Sequence, residues 1–349
     1  MIQAKIADIS YYLPQQTLDN HELAKLFPEW SAEQIEAKTG IRVRHIAAPD
    51  ETASDLAFHA AKALFQKGEW NPADIDFLIL CTESPDYILP PSATILQSRL
   101  EIPKTAGAFD FNLACSGYVY GLSIAKGLIE SGAAKNILFL TAETYSKFMH
   151  PMDKSVRTLF GDAGTATLIC AVECDSDTPP FIGPFVFGTD GSEAQSLMVK
   201  TGGMKHQRVA ENTTSADSAT NLKLSDNYLF MDGPSIFSFT LKVVPPALKA
   251  LLQKSQLQMD EIELFVFHQA NLFMLEALRK QNRIPQERFF TNLVDKGNTV
   301  SCTIPIALDD ARKAGRIPPM GTIMLVGFGV GLSWAATIVR LSNDFTQSK

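Results

Sequence analysis

Several things are missing from this 349-residue chain, and each absence narrows its chemistry. No uninterrupted apolar stretch approaches the roughly 20 residues a bilayer-spanning helix needs, so no membrane span is expected. The N-terminus lacks the basic-then-apolar pattern of a secretory signal. Cysteine is sparse and odd in number. Cys81, Cys115, Cys170, Cys174 and Cys302 show no framework spacing, which points to a reduced, cytoplasmic setting. Cys170 and Cys174 have no second pair or nearby histidine to complete a zinc site, so no metal is expected. Positive charge is also short: 31 Lys and Arg against 38 Asp and Glu leave a net charge of −7. That balance argues against nucleic acid as a general partner but not against a partner docking on a local basic patch.

What is present is a large apolar fraction, 46% of residues, enough for two domains or one large duplicated one. A weak internal repeat favours duplication. Asn71–Cys81 (NPADIDFLILC) and Gln258–His268 (QMDEIELFVFH) share a polar lead-in, an Ile-acid pair and an apolar strand. Matching Ile75 with Ile262 places His268 over Cys81. Ala125–Gly132 resembles Leu308–Gly315, and matching those glycines places Cys115 over Asn298. Both copies then run into an apolar strand. The spacing predicts two α/β halves, 1–173 and 174–349, sharing one core. Polar clusters over 201–227 predict an exposed insertion. A helix is expected over Thr52–Lys67, a small-residue strand over Asp162–Val172, and a long amphipathic helix within Met231–Leu252.

Cys115 lies where a short buried strand (108–113) gives way to helical spacing through Tyr118, Leu122, Ala125 and Leu128. A thiol at such a turn meets free N–H groups and the positive end of the helix dipole, which favour a thiolate. Local sequence weighs this equally against a small core residue. His268 ends the apolar strand Leu264–Phe267, where a side chain can project into a site or sit satisfied in the core. Asn298, in Gly297-Asn298-Thr299, also fits a plain turn. Gly327-Phe328-Gly329-Val330-Gly331 fails the dinucleotide spacing and opens no βαβ unit. A backbone that approaches a ligand closely, or a tight hairpin, remains.

Taken jointly, Thr39-Gly40-Ile41-Arg42-Val43-Arg44-His45-Ile46, the Cys115 segment, Phe160-Gly161-Asp162-Ala163-Gly164, His268–Asn271, Gly297–Thr299 and Gly327–Trp334 occur in the order and spacing of one family. The chain resembles the type III β-ketoacyl synthases (3-oxoacyl-acyl-carrier-protein synthase III) of the thiolase superfamily over essentially its full length. The resemblance implies two βαβαβαββ halves packed as a five-layered αβαβα core. It implies a decarboxylative Claisen condensation, in fatty acid or polyketide synthesis, in which Cys115 carries the acyl group. His268 and Asn298 would stabilise the enolate of a malonyl-type extender, and the N–H groups of Cys115 and Val330 would form the oxyanion hole. Acyl transfer to an alcohol or amine, and a non-catalytic partner subunit, are the competing functions.

The same resemblance implies substrate contacts from Asn271, Lys154, Phe160, Gly329 and Gly331, and phosphate or carrier contacts from Lys38, Arg42, Arg279 and Lys280. Acyl carrier protein and an acyl thioester are the expected partners. A homodimer is implied, with Tyr87–Pro91 where a dimer partner closes the acyl pocket, and no metal or redox cofactor. Some positions depart from the family's pattern. Gln34 and Lys38 stand where a tryptophan and an arginine help hold coenzyme A, and Trp30 comes four residues too early. Lys154 replaces an adenine-stacking arginine, Pro234 a pantetheine-binding asparagine, and Phe273 a carrier-docking arginine. These changes suggest a specialised branch with a carrier-borne primer or an unusual acyl group.

Overall fold

The computed structural model describes residues 1–208 and 225–341. Two five-stranded mixed sheets dominate it. The first runs, edge to edge, Ile2–Tyr12, Ala163–Glu173, Asn136–Glu143, Phe77–Cys81, Gly107–Phe111; the second runs Ile182–Thr189, Ser333–Leu341, Gly321–Gly329, Leu264–Phe267, Phe289–Phe290. Read this way, the sheets share one pattern: two antiparallel pairings followed by two parallel ones. Shared order and shared direction are what a duplicated half produces.

The strands are apolar at nearly every position because both faces of each sheet are covered. In Phe77–Cys81, Leu78 and Leu80 pack outward against Leu56, Ala60 and Leu96 of the helices Ala53–Phe65 and Ser92–Arg99. Ile79 and Cys81 face inward. In Leu264–Phe267, Leu264 and Val266 face inward while Phe265 and Phe267 meet Val244, Leu248, Leu275 and Leu278 of the outer helices. Between the sheets lie the helices Gly117–Glu130 and Thr303–Lys313, through Tyr118, Leu122, Ala125, Ile304, Ala307 and Leu308. The layers are therefore helix, sheet, helix, sheet, helix.

The helix Gly233–Ser255 is the long amphipathic helix expected within Met231–Leu252. At 23 residues it is long and apolar enough to cross a membrane by length and composition. Here Ile236, Phe239, Val244, Leu248 and Leu251 bury one face of it in the core. Pro245 within it provides no N–H for the carbonyl four residues earlier. That carbonyl, of Leu241, instead accepts Gln281 Nε2 at 3.2 Å from the neighbouring helix Leu272–Gln281. Of the expected insertion 201–227, 201–208 is exposed apart from the half-buried Thr201, 209–224 lie outside the described residues, and Asn227 departs from the expectation: it is buried, accepting Thr201 Oγ1 at 2.6 Å.

Candidate active site

The site is built where the inner helices begin. The chain leaves Gly107–Phe111, turns through Ala114, whose carbonyl accepts Gly117 N–H at 2.8 Å, and enters Gly117–Glu130 with Cys115 just before it. The strand Gly321–Gly329 passes directly over this turn. A Cβ on Gly327 would lie 2.6 Å from the Cys115 carbonyl oxygen, and one on Gly329 would lie 2.8 Å from Cys115 Cβ and Sγ. The alternating glycines are thus one face of a strand pressed against the nucleophile turn. A hydrogen bond of 2.8 Å between the Ser116 and Ser333 hydroxyls ties the turn to the next strand.

Backbone N–H groups of Cys115 and Val330 both act on the Cys115 sulfur and draw its pKa down. Burial outweighs them, and the carboxylates of Glu83 and Glu143 add to it, so the thiol is raised well above its ordinary value. The expectation of a resting thiolate is corrected. A dipole at the helix start is small beside the desolvation of a buried thiolate.

Phe328, between the two glycines, faces the other way, its ring edge-on to His268 at 5.5 Å. His268 extends the pairing beyond Leu264–Phe267: its N–H donates to the Val326 carbonyl at 2.8 Å. Its ring is buried, with Nδ1 2.7 Å from Thr303 Oγ1. Burial pulls its pKa down to about 3, so the imidazole is neutral at any working pH. Asn298 is also buried. Its Oδ1 accepts Val300 N–H at 3.0 Å, which leaves the amide Nδ2–H free to donate. Thr303 and Val300 link His268 to Asn298, and Phe328 beside His268 adjoins Gly329 over Cys115 in one strand.

The lowered pKa of His268 has a consequence for stability. Its neutral form is favoured in the fold, so this contribution is complete above about pH 6.5 and is lost as pH falls toward 3. A His268→Asn variant is expected to lose less stability to urea between pH 7 and pH 4.5 than the wild type. Equal losses would contradict a buried neutral imidazole.

Other expected site residues divide. Phe160 is buried beside Asn298, with which it forms an isolated bridge, so it supports the asparagine loop. Asn271 caps the helix Leu272–Gln281, accepting Met274 N–H at 2.8 Å. Asp162 of the Phe-Gly-Asp run accepts from Ala47 N, Ser146 N and Ser146 Oγ. Arg44 of the Thr39–Ile46 motif is fully buried, donating to Asn20 and the Thr158 carbonyl. Arg42 pairs with Asp295 at 3.2 Å. Arg279 is committed to Glu276 at 2.8 Å, while Lys280 stands in the last turn of its helix. Gly331 is exposed at a φ of +132° that favours glycine.

Trp30 has two of the expected cations beside it. The Lys38 ammonium lies 3.8 Å from its ring centroid and that of Lys154 lies 5.0 Å away, with Lys154 also paired to Glu29 at 2.6 Å. Four residues early in sequence, the indole still reaches both cations because the capped helix Ala32–Thr39 carries Lys38 back toward it.

Sequence reasoning missed an acid cluster beside Cys115. Glu143 accepts Glu83 N–H at 3.1 Å, Ser84 Oγ at 3.1 Å and Ser301 Oγ at 2.8 Å, and Tyr145 Oη donates to Glu83. Burial raises both carboxyls, Glu83 to about 7 and Glu143 well above its ordinary value. The available signal was an acid at or just past the end of an apolar strand, in FLILCTE and ILFLTAE.

Comparison with known proteins agrees with this geometry. Residues 109–191 match the family 3-Oxoacyl-[acyl-carrier-protein (ACP)] synthase III, and residues 252–341 its C-terminal counterpart. The chain is 37% identical to Beta-ketoacyl-[acyl-carrier-protein] synthase III 2 of Halalkalibacterium halodurans, covering 97% of this chain and 96% of that one. It belongs to the 3-oxoacyl-acyl-carrier-protein synthase III family. A solved 3-oxoacyl-(acyl-carrier-protein) synthase III shares 51% identity at a TM-score of 0.93, over 97% of this chain and all of the other. The priming β-ketosynthase of the R1128 polyketide pathway shares 29% at 0.84, over 97% and 96%. This synthase III is an acyltransferase of the thiolase fold, and the competing reading as a non-catalytic subunit is not favoured.

Proposed function

We propose that the protein carries out a two-step decarboxylative Claisen condensation on Cys115, in fatty acid or related polyketide synthesis. The observation that carries this is the Cys115 turn lying directly under the strand end at Gly329, next to the Val330 N–H, with His268 and Asn298 buried nearby. In the first step Cys115 Sγ attacks the carbonyl carbon of an acyl thioester. The N–H groups of Cys115 and Val330 hold the developing oxyanion. Because the resting thiol is protonated, its proton leaves with the departing thiol, and the acyl group stays on Cys115.

In the second step the extender's thioester oxygen lies between the His268 imidazole and the Asn298 amide. The carbon–carboxylate bond breaks, carbon dioxide departs, and the electron pair enters an enolate held by these two donors. The enolate carbon attacks the acyl carbonyl and the Cys115 sulfur leaves, taking up one proton. Loss of carboxylate supplies the electrons, so the step asks for donors rather than a strong base, and no metal or redox group enters the balance.

Trp30 with Lys38 and Lys154 forms a flat, cationic platform suited to an adenine nucleotide, which favours coenzyme A as primer donor. The extender arrives on acyl carrier protein. Tyr87, Ile88 and Leu89 are 59%, 74% and 78% exposed. So apolar a tip supports a homodimer in which a second copy covers it. A cytoplasmic setting follows from the free thiols.

The test is a mass measurement. Incubation with a panel of acyl-coenzyme A and acyl-carrier thioesters should add one acyl mass to the peptide bearing Cys115, with the coenzyme A donors faster. No adduct with any primer would overturn the nucleophile assignment.

A further inference from the structure

Val300 takes no part in the steps above, yet its backbone serves both enolate donors. Its φ is +56°, in the left-handed region where a β-branched residue is a true outlier. Such outliers persist only where the surroundings hold them, and they gather at functional sites. With the chain turned this way, the Val300 N–H reaches back to Asn298 Oδ1 at 3.0 Å. The Val300 carbonyl lies 3.1 Å from Thr303 Oγ1, which in turn lies 2.7 Å from His268 Nδ1.

Proton counting makes this arrangement consequential. The Thr303 hydroxyl has one proton, and a neutral imidazole has one N–H. If Thr303 donates to the Val300 carbonyl, Nδ1 must carry the imidazole proton and Nε2 is left bare. If Thr303 donates to Nδ1, the proton sits on Nε2 and can be offered to a thioester oxygen. The 2.7 Å contact serves in either direction, so the choice is set by the chemistry: a donor at Nε2, which condensation needs, exists only when Thr303 donates to Nδ1.

We propose that Thr303 is a positioning residue that fixes His268 as its Nε2–H tautomer, and that the left-handed Val300 backbone couples this choice to the orientation of the Asn298 amide. The proposal rests on the condensation reading, because only that chemistry requires a donor at Nε2. Thr303 touches no reacting atom; it acts through the ring.

Two variants and one spectrum test it. Thr303→Val keeps the shape and removes the hydroxyl; Thr303→Ser keeps the hydroxyl. Losing this buried hydrogen bond is expected to lower the condensation kcat about 10- to 100-fold in Thr303→Val. Acylation of Cys115 should change by less than about threefold, and Thr303→Ser should recover most of the loss. Equal loss of condensation in both variants, or equal loss of both half-reactions in Thr303→Val, would overturn the proposal. Nitrogen-15 histidine spectra of the wild type, with His268→Gln to assign the resonance, should show a proton on Nε2. A proton on Nδ1 would overturn it, even if Thr303→Val failed to fold. An enzyme that acylates but never condenses would defeat the condensation reading while the tautomer stayed readable.

Discussion

Gly329→Ala is expected to cut the rate of Cys115 acylation by two orders of magnitude or more in a protein that still folds. The added methyl would sit 2.8 Å from both Cβ and Sγ of Cys115, closer than carbon or sulfur atoms tolerate. Neither side can retreat easily. Gly329 pairs with Ser333, whose hydroxyl holds Ser116, and Cys115 begins a helix enclosed by two sheets. Relief comes by tilting the strand, which moves the Val330 N–H away from the sulfur. One misplaced oxyanion donor costs about 10²–10³ in rate, and overpacking costs about 1–3 kcal/mol in stability. Gly127→Ala is the control, because nothing lies within 4 Å of its Cβ position and alanine is the better helix former by about 1 kcal/mol. Acyl-adduct formation and thermal melting, measured together, separate the two effects. Unimpaired acylation in Gly329→Ala would show that the sulfur does not work under this strand.

The second large effect divides the two half-reactions. Alanine at His268 or Asn298 is expected to lower condensation about 10²–10⁴-fold, the range for losing a preorganised donor or a positioned acid–base group. Acylation should fall by roughly tenfold or less, because its oxyanion donors are backbone groups of Cys115 and Val330. Carbon dioxide release from a malonyl extender should fall with product. The double variant should lose less than the product of the single losses, since both donors hold one oxygen. Equal loss of acylation and condensation would contradict the enolate role.

Much of this was legible in the sequence, for identifiable reasons. Apolar runs ending on Cys81 and His268 marked buried parallel strands. The matched halves, with Cys115 laid over Asn298, anticipated that two inner helices begin at the same place. The glycine alternation at 327 and 329 gave away a backbone in close approach, though not what it approached. The resting state of Cys115 was misread because its burial, the main influence on the thiol, is visible only once the strands and helices are packed around it. Thr303 and Val300 carry no signature: a threonine starting a helix looks like a cap, and a left-handed valine looks like any valine.

The enclosure of Gly117–Glu130 and Thr303–Lys313 between the two sheets also bears on how such an enzyme diversifies. Elements carrying the nucleophile and the donor loop touch ordered neighbours on every side, so they can neither drift nor be retuned singly. The outer rim of the fold is free of that constraint, as at the exposed Tyr87–Leu89 tip and at Phe273, stacked on Phe237. Descendants with new substrates should therefore differ at the rim and keep the interior. Grafting rim segments between relatives is then a direct way to change which acyl chains are accepted without rebuilding the catalyst.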